Sequence, residues 1–111
     1  MLTCVLGTDA GKAVRLAGVD GKVLIGRGED CGMVLRDEAV SQRHAAVVSC
    51  VAAFSGSLAS EYRISDLGSV QGTFVNGQAV LASEPRTVRP GDVIHLGKWP
   101  AGATLLVHYR F

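Results

Sequence analysis

Cysteine is scarce in this 111-residue sequence: Cys4, Cys31 and Cys50 are odd in number and follow no metal-like spacing. Small buried thiols in a reducing, cytoplasmic setting are therefore expected rather than a stapled or metal-held scaffold. Long apolar runs are missing too, since none approaches the ~20 residues that a bilayer-spanning helix needs. Met1 leads straight into the strand-like Leu2-Thr3-Cys4-Val5-Leu6, without the basic segment and apolar core of a signal peptide. A soluble domain with no direct membrane contact is expected. Neither sign of charge dominates, with 11 Lys/Arg against 10 Asp/Glu, and no stretch gathers the basic residues. Aromatics are only 5% of the chain, so both an electrostatic footprint for nucleic acid and a base-stacking platform are wanting. Paired carboxylates, a nucleophile elbow, a P-loop and metal-ligand spacings are likewise not found, which argues against an enzyme and against any cofactor or metal.

What the chain does have is 48% hydrophobic residues and 14 glycines, in short apolar runs between tight turns. That composition supports an apolar core built from many short strands. Strands are expected at Leu2–Leu6, Ala13–Ala17 and Lys22–Ile25, with Asp20-Gly21 turning the second into the third. A brief Met33-Val34-Leu35 strand follows. The run from Ala45 to Ala53 is rich enough in alanine for a helix, but its valines and the lack of helix caps favour a strand buried on both faces. Ser55-Gly56-Ser57 reads as a hairpin loop, and Tyr62-Arg63-Ile64-Ser65 alternates with period two. Asn76-Gly77 is the strongest short hairpin signal, and Arg89-Pro90-Gly91-Asp92 has the residues of a type II turn. Val93–Leu96 and Ala103–Phe111 complete about ten strand candidates with no convincing helix, the pattern of an all-β, antiparallel sandwich of two sheets. No repeat or linker interrupts it. One domain over residues 1–111 is expected, the N-terminal part of a longer protein, because the chain ends inside its last strand-like run.

Polar groups that do not fit the core pattern collect at strand ends. Gly26-Arg27-Gly28 closes the third strand, where the glycines are expected to give the backbone freedom on both sides of one cation. Ser41-Gln42-Arg43-His44 precedes the long strand. Asp66-Leu67-Gly68-Ser69-Val70-Gln71-Gly72-Thr73-Phe74-Val75-Asn76-Gly77 follows the next, and Gly91-Asp92-Val93-Ile94 with Gly97 comes later. Ser41, His44 and Asp66 are the residue types of a hydrolase triad, but no Gly-x-Ser-x-Gly turn exposes the serine. His95 and His108 read as surface or edge residues.

In their order and spacing these four blocks resemble the forkhead-associated (FHA) domain, a β-sandwich that binds phosphothreonine peptides through loops at one end. The resemblance covers most of the chain. It implies that Arg27 pairs with the phosphate and that Ser41 donates its hydroxyl to a phosphate oxygen. Gln42 would offer backbone and amide groups to the phosphopeptide, and Arg43 a further cation. Val70 would touch residues after the phosphothreonine. Gln71 stands where the family normally has an asparagine that grips the peptide backbone; glutamine keeps the amide but holds it one methylene further out. Gly26, His44, Gly72, Thr73, Asn76 and Gly77 would support the site through turn geometry and loop bracing. A dinegative phosphate suits a fixed guanidinium and hydroxyl. The expected function is thus a phosphopeptide-binding module acting in signalling on a threonine-phosphorylated partner. The alternative is a phosphate-independent FHA-like scaffold, such as a domain of a secretion-system ring. In those scaffolds the arginine and serine have usually been lost.

Overall fold

A computed structural model of the chain describes residues 2–15, 21–54 and 57–107, with backbone alone over 50–54 and 57–61. Eleven strands are formed: β1 (Leu2–Leu6), β2 (Ala13–Val14), β3 (Lys22–Gly26), β4 (Met33–Val34), β5 (Ala45–Phe54), β6 (Ser57–Asp66), β7 (Thr73–Val75), β8 (Gln78–Ala79), β9 (Arg86–Val88), β10 (Val93–Leu96) and β11 (Ala103–Val107). There is no helix among the described residues. One sheet has six strands in the order β2-β1-β11-β10-β7-β8, and the other has five in the order β4-β3-β5-β6-β9. Every pair is antiparallel except β3 with β4, which run parallel. The fully antiparallel arrangement read from the sequence is corrected at this one edge, where the chain leaves β3 and returns beside it without a hairpin.

Period-two alternation builds the core. Along β11, Ala103, Leu105 and Val107 are buried while Thr104 and Leu106 are half-exposed on the other face. Leu2, Ile25, Met33, Val47, Ile64, Val75, Ile94, Leu96 and Leu105 belong to one apolar cluster between the sheets. The alanine-rich stretch from Ala45 is strand, as its valines suggest. β5 pairs with β3 on one side and over ten residue pairs with β6 on the other, so lateral hydrogen bonds override alanine's helical preference. The strand expected from Tyr62 to Ser65 is longer, beginning at Ser57, because β5 continues beside it. Leu35 lies outside β4. The expected turn residue Asp20, the end of the second strand, residues 55–56 and residues 108–111, including His108, fall outside the described residues.

The turns carry their chemistry as read. Asn76 (φ 49°) and Gly77 (φ 83°) both occupy the left-handed region, as a two-residue hairpin turn between β7 and β8 requires. Asp92 N–H bonds to the Arg89 carbonyl at 3.0 Å with Gly91 at φ 97°, consistent with a type II turn. Register then gathers three loops at one end of the sandwich. Ile25 of β3 lies opposite Ala45 of β5, and Ala45 lies opposite Asp66 of β6. The end of β3, the start of β5 and the end of β6 are therefore level, and the loops that leave them share one rim.

Candidate functional site

At that rim the loop after β3 lies against the loop before β5. Arg27 N–H bonds to the Ser41 carbonyl at 3.0 Å, and Gly28 N–H bonds to the Gln42 carbonyl at 3.0 Å. The fit leaves no room at Gly26. A Cβ there would lie 2.8 Å from the Gln42 carbonyl carbon and 2.9 Å from the Ser41 oxygen. This corrects the reading of the two glycines as sources of backbone freedom. Neither has a positive φ, and what Gly26 provides is close approach of two backbones.

Arg27 is exposed, and its Nε donates to the Val40 carbonyl at 2.5 Å. That bond fixes the stem while the terminal Nη groups have no partner among the described residues. Ser41 is held twice. Its N–H donates to His44 Nδ1 at 3.0 Å, and its Oγ accepts the Val70 N–H at 3.1 Å. With Oγ serving as an acceptor, the hydroxyl proton is left to donate outward.

His44 is fully buried and braces two loops at once. Because Nδ1 accepts from Ser41, the ring proton sits on Nε2, which donates to the Gly72 carbonyl at 2.7 Å. Burial pushes the His44 pKa below 6.5, against the opposing pulls of the Gly72 carbonyl and the Asp66 charge. The neutral ring is the form this geometry needs. Its ring nitrogens bond to backbone, not to the Ser41 hydroxyl or the Asp66 carboxylate, so these residues do not form a catalytic triad.

Asp66 organises the loop that follows β6. One carboxylate oxygen accepts the Gly68 N–H at 3.0 Å and the Ser69 N–H at 3.1 Å. The other accepts the Ser69 hydroxyl and, at 2.7 Å, the Thr73 hydroxyl. Ser69 Oγ in turn accepts the Gly72 N–H at 3.0 Å. Burial alone would raise the Asp66 pKa, but the bonds from Ser69, Thr73 and Gly68 outweigh it and hold the carboxyl below 3.8. Sequence reasoning gave Asp66 no supporting role. The available signal was an aspartate followed by Gly-Ser, the pattern of a side chain that captures backbone N–H groups two and three residues on.

The remaining predicted residues are less uniformly placed. Gln42 is exposed, and its carbonyl is occupied by Gly28 N–H and by the Cys31 thiol at 3.3 Å. Arg43 is paired with Asp30 at 2.5 Å, the two side chains being 66% and 52% exposed. Val70 is 90% exposed beside Ser41. Gln71 turns towards the loop after β10, where its Oε1 accepts the Lys98 N–H at 3.2 Å. Gly72 has φ 95°, and Thr73 is buried against Asp66. Asn76 donates from Nδ2 to Asp92 at 3.1 Å and accepts the Val93 N–H at 2.9 Å, so with Gly77 it ties the β7–β8 hairpin to the start of β10 rather than to the rim. His95 is not an edge residue. It lies in β10 between β7 and β11, half-buried, with ring nitrogens bonded to Thr104 Oγ1 at 2.9 Å and the Ala101 carbonyl at 2.7 Å.

Cys4 and Cys31 are buried free thiols whose pKa values burial raises, the opposite of an activated nucleophile. Among the described residues no group of three or more His, Cys, Asp or Glu is placed to hold a metal ion, and none lies in a helix long and apolar enough to cross a membrane.

A family model described as FHA domain matches residues 23–97, which include every group at the rim. The chain belongs to the FHA domain family. By sequence, none of the curated proteins matches it. Solved structures agree on the fold. An FHA domain from an Arabidopsis thaliana hypothetical protein superposes with a TM-score of 0.79 at 27% identity, over 99% of this chain and 84% of that one. A second, from a study of phosphothreonine-dependent FHA domain interactions, gives 0.67 at 27% identity over 99% and 95%. The FhaA FHA domain, solved in complex with the intracellular domain of Rv3910, gives 0.65 at 28% identity over 95% and 94%. FHA domains are interaction modules, and the rim of this one presents hydrogen-bond donors on braced loops.

Proposed function

We propose that this FHA domain binds a threonine-phosphorylated partner protein in the cytoplasm, acting by association without turnover. The observation that carries the reading is the pair of donors left over after the loops have satisfied each other: the Nη groups of Arg27 and the hydroxyl proton of Ser41. A phosphate carries nearly two negative charges at neutral pH and several acceptor oxygens, and charge-assisted bonds to it are strong. Exposed Val70, whose N–H bonds to Ser41 Oγ, meets the residues flanking the phosphothreonine, and Gln42 beside Ser41 is exposed as well. Solved FHA domains of similar fold take part in phosphothreonine-dependent interactions, which supports the same use here.

One observation favours a phosphate-independent scaffold role instead. The Gln71 side-chain Oε1 accepts the Lys98 N–H, so the acceptor half of its amide is turned to the loop after β10 and is not held ready to grip a peptide backbone. Titration with a phosphothreonine peptide library, followed by fluorescence anisotropy, separates the two. Arg27→Ala should weaken the best peptide by roughly 30- to 100-fold, the scale of losing a charge-assisted pair. Equal binding by the variant and the parent, or partners retained from phosphatase-treated lysate, would favour the scaffold.

A further inference from the structure

The two sheets differ on the faces they turn to solvent. On the five-stranded sheet Lys22, Val48, Arg63 and Thr87 stand side by side across β3, β5, β6 and β9, so this outward row carries two cations. On the six-stranded sheet one outward row is Leu6, Thr104, His95, Phe74 and Ala79, and the next is Ala13, Thr3, Leu106 and Val93. Neither of these rows holds an Asp, Glu, Lys or Arg. An outer face without charge leaves apolar surface in water, and Leu6 and Val93 are both exposed there.

At its β7–β10 end this face deepens into an apolar pocket of about 350 Å³, lined by Phe74, Gly77, His95, Lys98, Trp99 and Thr104. Ligand cavities run from about 300 to 1,000 Å³, so a pocket at the small end suits one large side chain. Its walls are held by bonds already made. His95 is fixed by Thr104 Oγ1 and the Ala101 carbonyl, and Trp99 meets it edge to face, with ring centroids 5.3 Å apart at 66°. The loop carrying Trp99 is tied down by Gly97 N–H to the Gly72 carbonyl at 2.9 Å and by Lys98 N–H to Gln71 Oε1 at 3.2 Å. Trp99 is nonetheless 68% exposed. A tryptophan held in place with most of its surface in water gains strongly when a partner covers it. Lys98 is the one charged residue lining the pocket, and its ammonium has no partner among the described residues.

We propose that this pocket docks an unphosphorylated segment of a partner protein, taking one large apolar side chain against Trp99 and Phe74 and an acidic residue beside Lys98. A second copy of this chain fits the face less well, because its rows would bring another lysine and no carboxylate to meet the first. The site uses neither Arg27 nor Ser41, so it goes beyond the phosphothreonine reading and does not depend on it. The Gln71 bond to Lys98 helps to position this second site.

The test uses unphosphorylated synthetic peptides with a central leucine, phenylalanine or alanine, and with aspartate or asparagine scanned over the four positions on either side. Trp99 is the only tryptophan of the chain, so its fluorescence reports contact directly, and anisotropy of labelled peptides gives affinities for the variants. With leucine or phenylalanine the Trp99 emission should shift to the blue. Affinity should exceed that of the alanine peptide by roughly tenfold, the scale of covering one large apolar side chain. At one or more positions aspartate should bind roughly two- to fivefold tighter than asparagine, the scale of one solvent-facing ion pair. Lys98→Gln should remove that difference and keep the preference for an apolar centre. Trp99→Ala should lower affinity roughly tenfold and leave the urea midpoint and phosphothreonine-peptide binding unchanged. Arg27→Ala should bind these peptides as the parent does, which separates this site from the phosphothreonine reading. Equal affinity for all three centres, no gain from aspartate at any position, a gain that survives Lys98→Gln, or undiminished binding by Trp99→Ala overturns the proposal. So does dimerisation of the parent domain in sedimentation that Trp99→Ala abolishes, which would give the face to a second copy.

Discussion

Two polar side chains hold two loops of this domain, and their surroundings differ. Asp66 closes the β6–β7 loop on itself, accepting from Gly68, Ser69 and Thr73, all within seven residues. Asn76, ten positions later in the same motif block, reaches across to Asp92 and Val93 and holds the β7–β8 hairpin on β10. The first assembly shapes the surface that carries Val70 and meets Ser41. The second fixes a turn on the sheet and touches nothing at the rim. Neighbouring residues in one block therefore do separate jobs, one shaping the rim and one fixing a hairpin on the sheet, and a substitution should reveal which is which.

The largest effect is expected at Asp66. Asp66→Ala removes an ionised acceptor of four donors and should cost about 3 kcal/mol of stability, following the scale of hydrogen bonds to charged groups. Phosphopeptide binding should fall with it even at temperatures where the variant stays folded, because Ser69, Gly72 and the Val70 N–H lose their placement. Calorimetry and anisotropy on the same samples read both. A smaller effect is expected at Asn76, where alanine loses two cross-strand bonds and is forced into a left-handed conformation. A cost of about 1–2 kcal/mol is the usual scale. Peptide affinity should stay within about twofold of the parent. A large loss of affinity in Asn76→Ala would erase the distinction drawn here.

The smallest effect is on the pH dependence of stability, and it sharpens the comparison from the ligand side. His44 is held below 6.5, so between its folded value and 6.5 the unfolded chain binds more protons than the folded one. Its contribution is complete above 6.5 and is lost as the pH falls. Asp66, held below 3.8, acts in the same direction: its contribution is complete above 3.8 and is lost as the pH falls through the depressed folded value. Urea midpoints measured against pH should decline in two stages. Asp66→Asn should remove the lower stage and keep the upper one.

The strands were legible wherever local pattern and pairing agree, as in β3, β10 and the buried face of β11. The Ala45–Phe54 strand was legible through its valines, against its alanines. The parallel β3–β4 pair was not, since both strand ends look alike whichever way the chain returns. That Arg27, Ser41 and His44 come together at one rim was legible because their residue types and spacing match a known family pattern. Asp66 was missed as an organiser because its four bonds run to backbone and to short hydroxyl side chains, which carry no long-range signature. The reach of Gln71 to Lys98 and of Asp9 to Arg36 joins residues 27 positions apart in each case. Spacing along a chain does not report such contacts.

The braced state of Ser41 has a kinetic consequence. Its amide is given to His44 and its oxygen receives Val70, so the loop is already in the shape that would meet a phosphate. If the proposed phosphopeptide binding holds, association need not wait for a loop to reorganise, and its rate should be set by diffusion and by the field of Arg27, falling as salt is added. Differences between competing peptides should appear instead in how long each remains bound.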